Sequence, residues 1–125
     1  MTRGVRGKVR VKTAKNRSAQ STRWLQRQLN DPYVRQAKAE GWRSRAAFKL
    51  MELDDRFSLL KGVRAVVDLG VAPGGWAQVV RKRTPQAKIV GIDLPPVDPI
   101  EGVTLLQMDF MDEAAEEHLR GALGE

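Results

Sequence analysis

The feature that most constrains the fold is the run Ala65-Val66-Val67-Asp68-Leu69-Gly70-Val71-Ala72-Pro73-Gly74-Gly75-Trp76. A β-branched segment breaks into glycine and proline, and helix-compatible residues resume at once. The run therefore reads as a buried strand, a tight turn and the start of a helix. Residues 75–83 continue that helix, 88–92 form a second buried strand, 94–102 a proline-rich loop, 103–108 a third strand and 112–119 a final helix. Strand, helix, strand, strand, helix predicts an α/β architecture with a doubly wound parallel sheet. Three strands are few for such a sheet, and Gly121-Ala122-Leu123-Gly124-Glu125 reads as a helix end leading onward. The chain is expected to be the N-terminal part of a longer protein.

Upstream of the strands the pattern is helical. Residues 22–29 suit a short helix capped by Ser21. Asp31 and Pro32 suit the cap and first position of a second helix, which Gly41 ends. Ser44 is the expected N-cap of a third, whose Ala46, Leu50, Leu53, Phe57 and Leu60 fall on one face. The expected division is a basic, mobile arm over residues 1–20 and one domain over 21–125, helical over 21–61 and strand-rich over 62–125.

Charge separates along the same line. Residues 1–64 hold 17 Lys or Arg against 5 Asp or Glu, whereas residues 65–125 hold 5 against 10. The first thirty residues carry nine cations and no acid, which calls for a polyanionic partner. A membrane surface suits them poorly, because no Leu, Phe or Trp interleaves the cations over residues 1–21. Nucleic acid is the expected partner. No apolar run approaches the roughly 18 residues that cross a bilayer, and no signal-peptide core opens the chain, so a cytoplasmic protein with no membrane partner is expected. With no cysteine and one histidine, His118, no metal site is expected and any cofactor is organic.

Glycines at the carboxyl end of a first strand occupy the place where α/β sheets bind ligands. The spacing Gly70-x-x-x-Gly74-Gly75 departs from the dinucleotide pattern, and no Gly-Lys-Ser/Thr forms a P-loop. Asp93 follows the second strand, where an acid can accept both hydroxyls of a ribose, and Asp109 follows the third, where a carboxylate can bond an adenine amino group. Together they outline an adenosine pocket without a pyrophosphate cradle, which suits S-adenosylmethionine.

Five segments carry a resemblance: Arg17 through Tyr33 with its Ser-Ala-x-Ser-x-Arg-Trp-Leu core, Arg43-Ser44-Arg45-Ala46-Ala47-Phe48-Lys49-Leu50, Val67 through Trp76, Asp98-Pro99-Ile100 and Gln107-Met108-Asp109-Phe110. With them the chain resembles the FtsJ/RrmJ (RlmE) family of ribosomal RNA 2′-O-methyltransferases, from about Asn16 onward. The resemblance implies a Rossmann-like fold and transfer of a methyl group from S-adenosylmethionine to a ribose 2′-hydroxyl of a uridine in 23S ribosomal RNA of the large subunit. It implies Gly74, Trp76, Asp93 and Asp109 as cofactor contacts. It also implies Lys49 as the first of a Lys-Asp-Lys-Glu catalytic set whose other members have no counterpart here. Pro95-Pro96 after Asp93-Leu94 departs from the commoner family pattern.

Lys49 has a case of its own. It borders the apolar stripe of the third helix, so a partly buried stem would present its amine to a cleft, where it can orient a hydroxyl or take its proton. Trp24, Tyr33 and Trp42 offer rings that either stack on bases or pack the short helices. Two other readings compete: a non-catalytic RNA-binding module with a degenerate pocket, and a nicotinamide-dependent oxidoreductase, against which the glycine spacing speaks.

Overall fold

In the computed structural model, residues 18–124 are described. The basic arm expected over residues 1–20 lies outside them up to position 17. Its last residues are already helical, because α1 (Ala19–Asn30) begins before position 22. The cap is Ser18 and not Ser21: the Ser18 hydroxyl oxygen accepts the Ser21 N–H at 3.1 Å. The second helix, α2 (Pro32–Glu40), forms as its signals indicate. Asp31 accepts the Tyr33 N–H, Pro32 opens the first turn and Gly41 closes it in the left-handed region, where Trp42 donates back to the Ala37 carbonyl at 2.8 Å.

Helix α3 (Ala46–Phe57) departs from expectation twice. Ser44 supplies no side-chain cap; its backbone carbonyl takes the Ala47 N–H at 3.3 Å. The buried stripe is also rotated. Ala47 and Leu50 are buried and Met51 packs beside them, while Ala46 is exposed and Phe57 is 61% exposed. The cause is the neighbour. The third helix packs on α4 (Gly75–Arg83), so the inward face is the one that meets Val79 and Val80.

Strands β1 (Ala65–Leu69), β2 (Lys88–Asp93) and β3 (Val103–Gln107) form a parallel sheet in the order β1-β2-β3, with Leu69 opposite Ile92 and Ile92 opposite Leu106. Central β2 buries Ile89, Val90, Gly91 and Ile92. Ile89 joins Ala47, Leu50, Val79 and Val80 in the core, with Trp42, Leu60, Val66 and Val103 around it. Helix α5 (Ala115–Leu123) packs against β2. Its start is later than position 112 because Asp112 makes a turn of its own, accepting the Ala114 N–H on its side chain at 2.8 Å.

Strand β1 is not the buried strand that its composition suggests. Val66 and Asp68 are half-buried, while Val67 and Leu69 are 38% and 54% exposed. Among the described residues β1 pairs on one side only, with β2, and the α3–α4 layer covers the face of Val66 alone.

Candidate functional site

Because the strands are parallel, all three end on one edge of the sheet, and main-chain hydrogen bonds tie those ends together. The N–H groups of Gly70 and Val71 donate to the Ile92 carbonyl at 2.9 and 3.2 Å, and that of Met108 donates to the Asp93 carbonyl at 3.0 Å. The Asp93 carboxylate extends the seam: Oδ2 accepts from the Ala72 N–H at 2.9 Å and Oδ1 from the Leu94 N–H at 2.8 Å. Asp93 thus anchors the glycine turn, and each oxygen keeps acceptor capacity for a further partner. Asp109 stands exposed past β3. Its Oδ1 accepts the Met111 N–H at 2.9 Å, and its other oxygen takes no hydrogen bond among the described residues.

Asp68 lies beside Asp93 on the inner face of β1. Burial, and then the negative charge of Asp93, push its carboxyl above the usual carboxylate range. Sequence reasoning passed over it, although an acid inside a β-branched strand is a visible signal.

The turn between β1 and α4 contains a cis Ala72–Pro73 peptide bond and Gly74 at φ 120°. A Cβ on Gly74 would stand 2.7 Å from the Ile100 side chain, and one on Gly75 would stand 2.5 Å from the Ser44 hydroxyl. Gly74 is required by its φ, and at Gly75 a Cβ would force the Ser44 hydroxyl aside, because the turn before α3 closes onto this turn. Arg43 fastens this closure. Its guanidinium donates to the carbonyls of Pro73, Asp98 and Pro99, and its own N–H donates to the Gln78 side-chain oxygen at 2.8 Å. Neither Arg43 nor Gln78 was distinguishable from sequence as a tie, since nothing local marks a side chain that bonds distant carbonyls.

Trp76, in the first turn of α4, is 41% exposed and donates its indole N–H to the Ala46 carbonyl at 2.8 Å. The glycine turn is thereby joined to the helix that carries Lys49, one turn beyond Ala46. Lys49 is exposed, in a recess lined by Tyr33, Arg45, Ala46, Phe48 and Glu52. The rotated stripe turns this face of α3 outward, so the residue as a whole is exposed. Of the three rings considered for stacking, Trp42 packs against the core beneath the Lys82 ammonium, whereas Trp24 and Tyr33 are each 53% exposed. Among the described residues no group of three His, Asp or Glu side chains gathers as a metal site, and no helix is long and apolar enough to cross a membrane.

A family model described as FtsJ-like methyltransferase matches residues 42–125. The ribosomal RNA large subunit methyltransferase E of Sphingopyxis alaskensis is 72% identical over 116 residues, covering 93% of this chain and 50% of its own length. That of Novosphingobium aromaticivorans is 71% identical over 114 residues, covering 91% and 51%. A crystal structure described as a ribosomal RNA methyltransferase from Plasmodium falciparum matches with a TM-score of 0.59 at 36% identity, over 64% of this chain and 48% of its own. The chain spans about half the length of the curated relatives it matches.

Proposed function

This chain belongs to the FtsJ-like methyltransferase family and has its α/β Rossmann-like fold, and on that premise we propose that the whole protein methylates a ribose 2′-hydroxyl of a uridine in 23S ribosomal RNA. The reading takes S-adenosylmethionine as cofactor, the large ribosomal subunit or its RNA as partner and the cytoplasm as compartment. The observation that carries it is the hydrogen bond from the Trp76 indole to the Ala46 carbonyl, which sets the glycine turn and the Lys49 helix in one rigid frame.

The residues suit the group. Asp93 has acceptor capacity left for a ribose diol beside the closed glycine turn, and the open oxygen of Asp109 at the next strand end suits an adenine amino group. Gly74 and Trp76 would wall the pocket. When bound, S-adenosylmethionine supplies an activated methyl group. Lys49 would orient the 2′-hydroxyl and draw off its proton, a contribution of about 10²–10⁴ in rate for a positioned acid or base. Holding oxygen, carbon and sulfur in line accounts for more of the barrier than any single group. Residues 21–61 would face the RNA, residues 62–125 would hold the cofactor, and the cations of residues 1–20 would neutralise phosphates.

The test is full-length protein incubated with tritiated S-adenosylmethionine and with 23S ribosomal RNA that lacks the modification, both free and within the large subunit. Label in a uridine dinucleotide that resists alkali is expected, since a 2′-O-methyl group blocks hydrolysis of the next phosphodiester. RNA binding without any label would favour the non-catalytic module and end the enzyme reading.

A further inference from the structure

The recess around Lys49 contains more than a cation. Tyr33 enters it from the first turn of α2, seated by its own N–H, which donates to Asp31 at 2.8 Å. Arg45, just before α3, carries its guanidinium over the Tyr33 ring, 5.2 Å from the centroid, and is held there by an ion pair with Asp31. Phe48 meets the same ring at 6.4 Å and a tilt of 55°. These contacts fasten α2 to α3, yet they use only part of the surface: Tyr33 remains 53% exposed and the Arg45 side chain 51% exposed.

A fastening alone does not call for a half-open ring paired with a half-open planar cation. An unpaired nucleobase does, because it stacks on aromatic faces and on guanidinium planes alike while its phosphates seek cations. Lys49 stands four residues from Arg45, on the same side of the helix, and supplies the second positive charge. Among the described residues Glu52 is the one acid in the lining, and Asp31 stands behind it, paired with Arg45. Lys49 is thus the cation left for a phosphate, within a stretch where residues 1–64 hold 17 basic against 5 acidic side chains. A protein partner would ask for a continuous apolar face. Here single rings are set among charges.

We propose that the Tyr33–Arg45 pair is a stacking subsite for an unpaired base of the RNA, next to the ribose that Lys49 addresses. Only the neighbourhood of that ribose rests on the methyltransferase reading; the stacking is a property of the recess. A base held there fixes the sugar attached to the same strand, so the subsite restricts the approach of the 2′-hydroxyl.

The experiment titrates full-length protein with a short oligouridylate and with a strand of the same length whose riboses are abasic. Both carry the same phosphates, so charge contributes equally. Stacking predicts that the wild type prefers the oligouridylate by about tenfold. Tyr33→Phe should keep the preference, and Tyr33→Leu should lose it while affinity for the abasic strand holds. Equal affinity of the wild type for both strands, or an undiminished preference in Tyr33→Leu, overturns the proposal. Because Tyr33 also fastens α2, the wild type is tested without substitution by irradiating its complex with an oligouridylate containing 4-thiouridine. Adducts at Tyr33 or Arg45 support the subsite, and adducts confined to other residues overturn it. A base preference that persists in a wild type unable to methylate ribosomal RNA would support the subsite while ending the enzyme reading.

Discussion

Arg43 donates to the main-chain carbonyl of Pro73 at 3.2 Å, and the same guanidinium reaches the carbonyls of Asp98 at 2.5 Å and Pro99 at 2.7 Å. One planar fork thus bridges three backbone segments: the turn before α3, the glycine turn after β1 and the loop after β2. A guanidinium is suited to this because its donors are rigidly spread and it stays charged. Gln78 steadies the arrangement from α4, accepting the Arg43 N–H and donating its amide to the Gly41 carbonyl at 3.2 Å.

Arg43→Lys keeps the charge and loses the fork, and a single ammonium does not span three carbonyls held by two loops. Losing one or two net hydrogen bonds predicts a loss of about 1–2 kcal/mol in cofactor affinity, because the loop flanking the pocket is released. Calorimetric titration with S-adenosylmethionine measures it. Wild-type affinity in the variant would show that the fork does not shape the pocket.

Asp93→Ala removes both the acceptor proposed for the ribose and the anchors of the Ala72 and Leu94 amides. Cofactor binding should weaken by about 1–3 kcal/mol, the cost of leaving such groups unpaired. Asp93→Asn keeps an acceptor for one amide and should fall between the two. Titration of the three proteins decides it, and identical affinities would take Asp93 out of the site.

Lys49→Ala should act on the transition state. Single-turnover methylation should slow strongly while cofactor and RNA dissociation constants stay near those of the wild type, the pattern of an interaction made only in the transition state. A rate constant lowered by less than about threefold, under ~1 kcal/mol of barrier, would leave Lys49 without a catalytic role.

Two carboxylates impose opposite pH dependences. Burial and the charge of Asp93 raise the Asp68 carboxyl above its unfolded value, so the folded state holds the extra proton and stability falls as pH rises through that window. Asp68→Asn should remove this fall. Asp54 runs the other way: the Arg83 guanidinium and the Leu60 N–H lower its carboxyl, so its contribution is present above the usual carboxylate value and is lost as pH falls through the lowered one. Asp54→Asn should therefore destabilise at neutral pH and converge with the wild type in acid. Urea unfolding across a pH series reads both, and parallel profiles for wild type and Asp68→Asn would refute the assignment to Asp68.

What the sequence determined by itself is local. The α2 helix between Asp31 and Gly41, the turn from β1 into α4 at Gly74-Gly75, the succession of strands along the chain and the position of Asp93 at the end of β2 all follow from capping, glycine and β-branched patterning within a few residues. The tertiary structure decided what depends on partners far along the chain. Ala47 and not Ala46 faces inward on α3 because Val79 and Val80 arrive there from α4, and that rotation leaves Lys49 exposed. Residues 65–69 have the composition of a buried strand, yet β1 stays half-open because only β2 pairs with it among the described residues. Arg43 bonds carbonyls 30, 55 and 56 positions away, and Oδ2 of Asp93 takes the amide of Ala72 from 21 positions away. A side chain's type limits which bonds it can make. Which bonds it does make is set by the backbone groups that folding brings within about 3 Å, and no local window of sequence contains them.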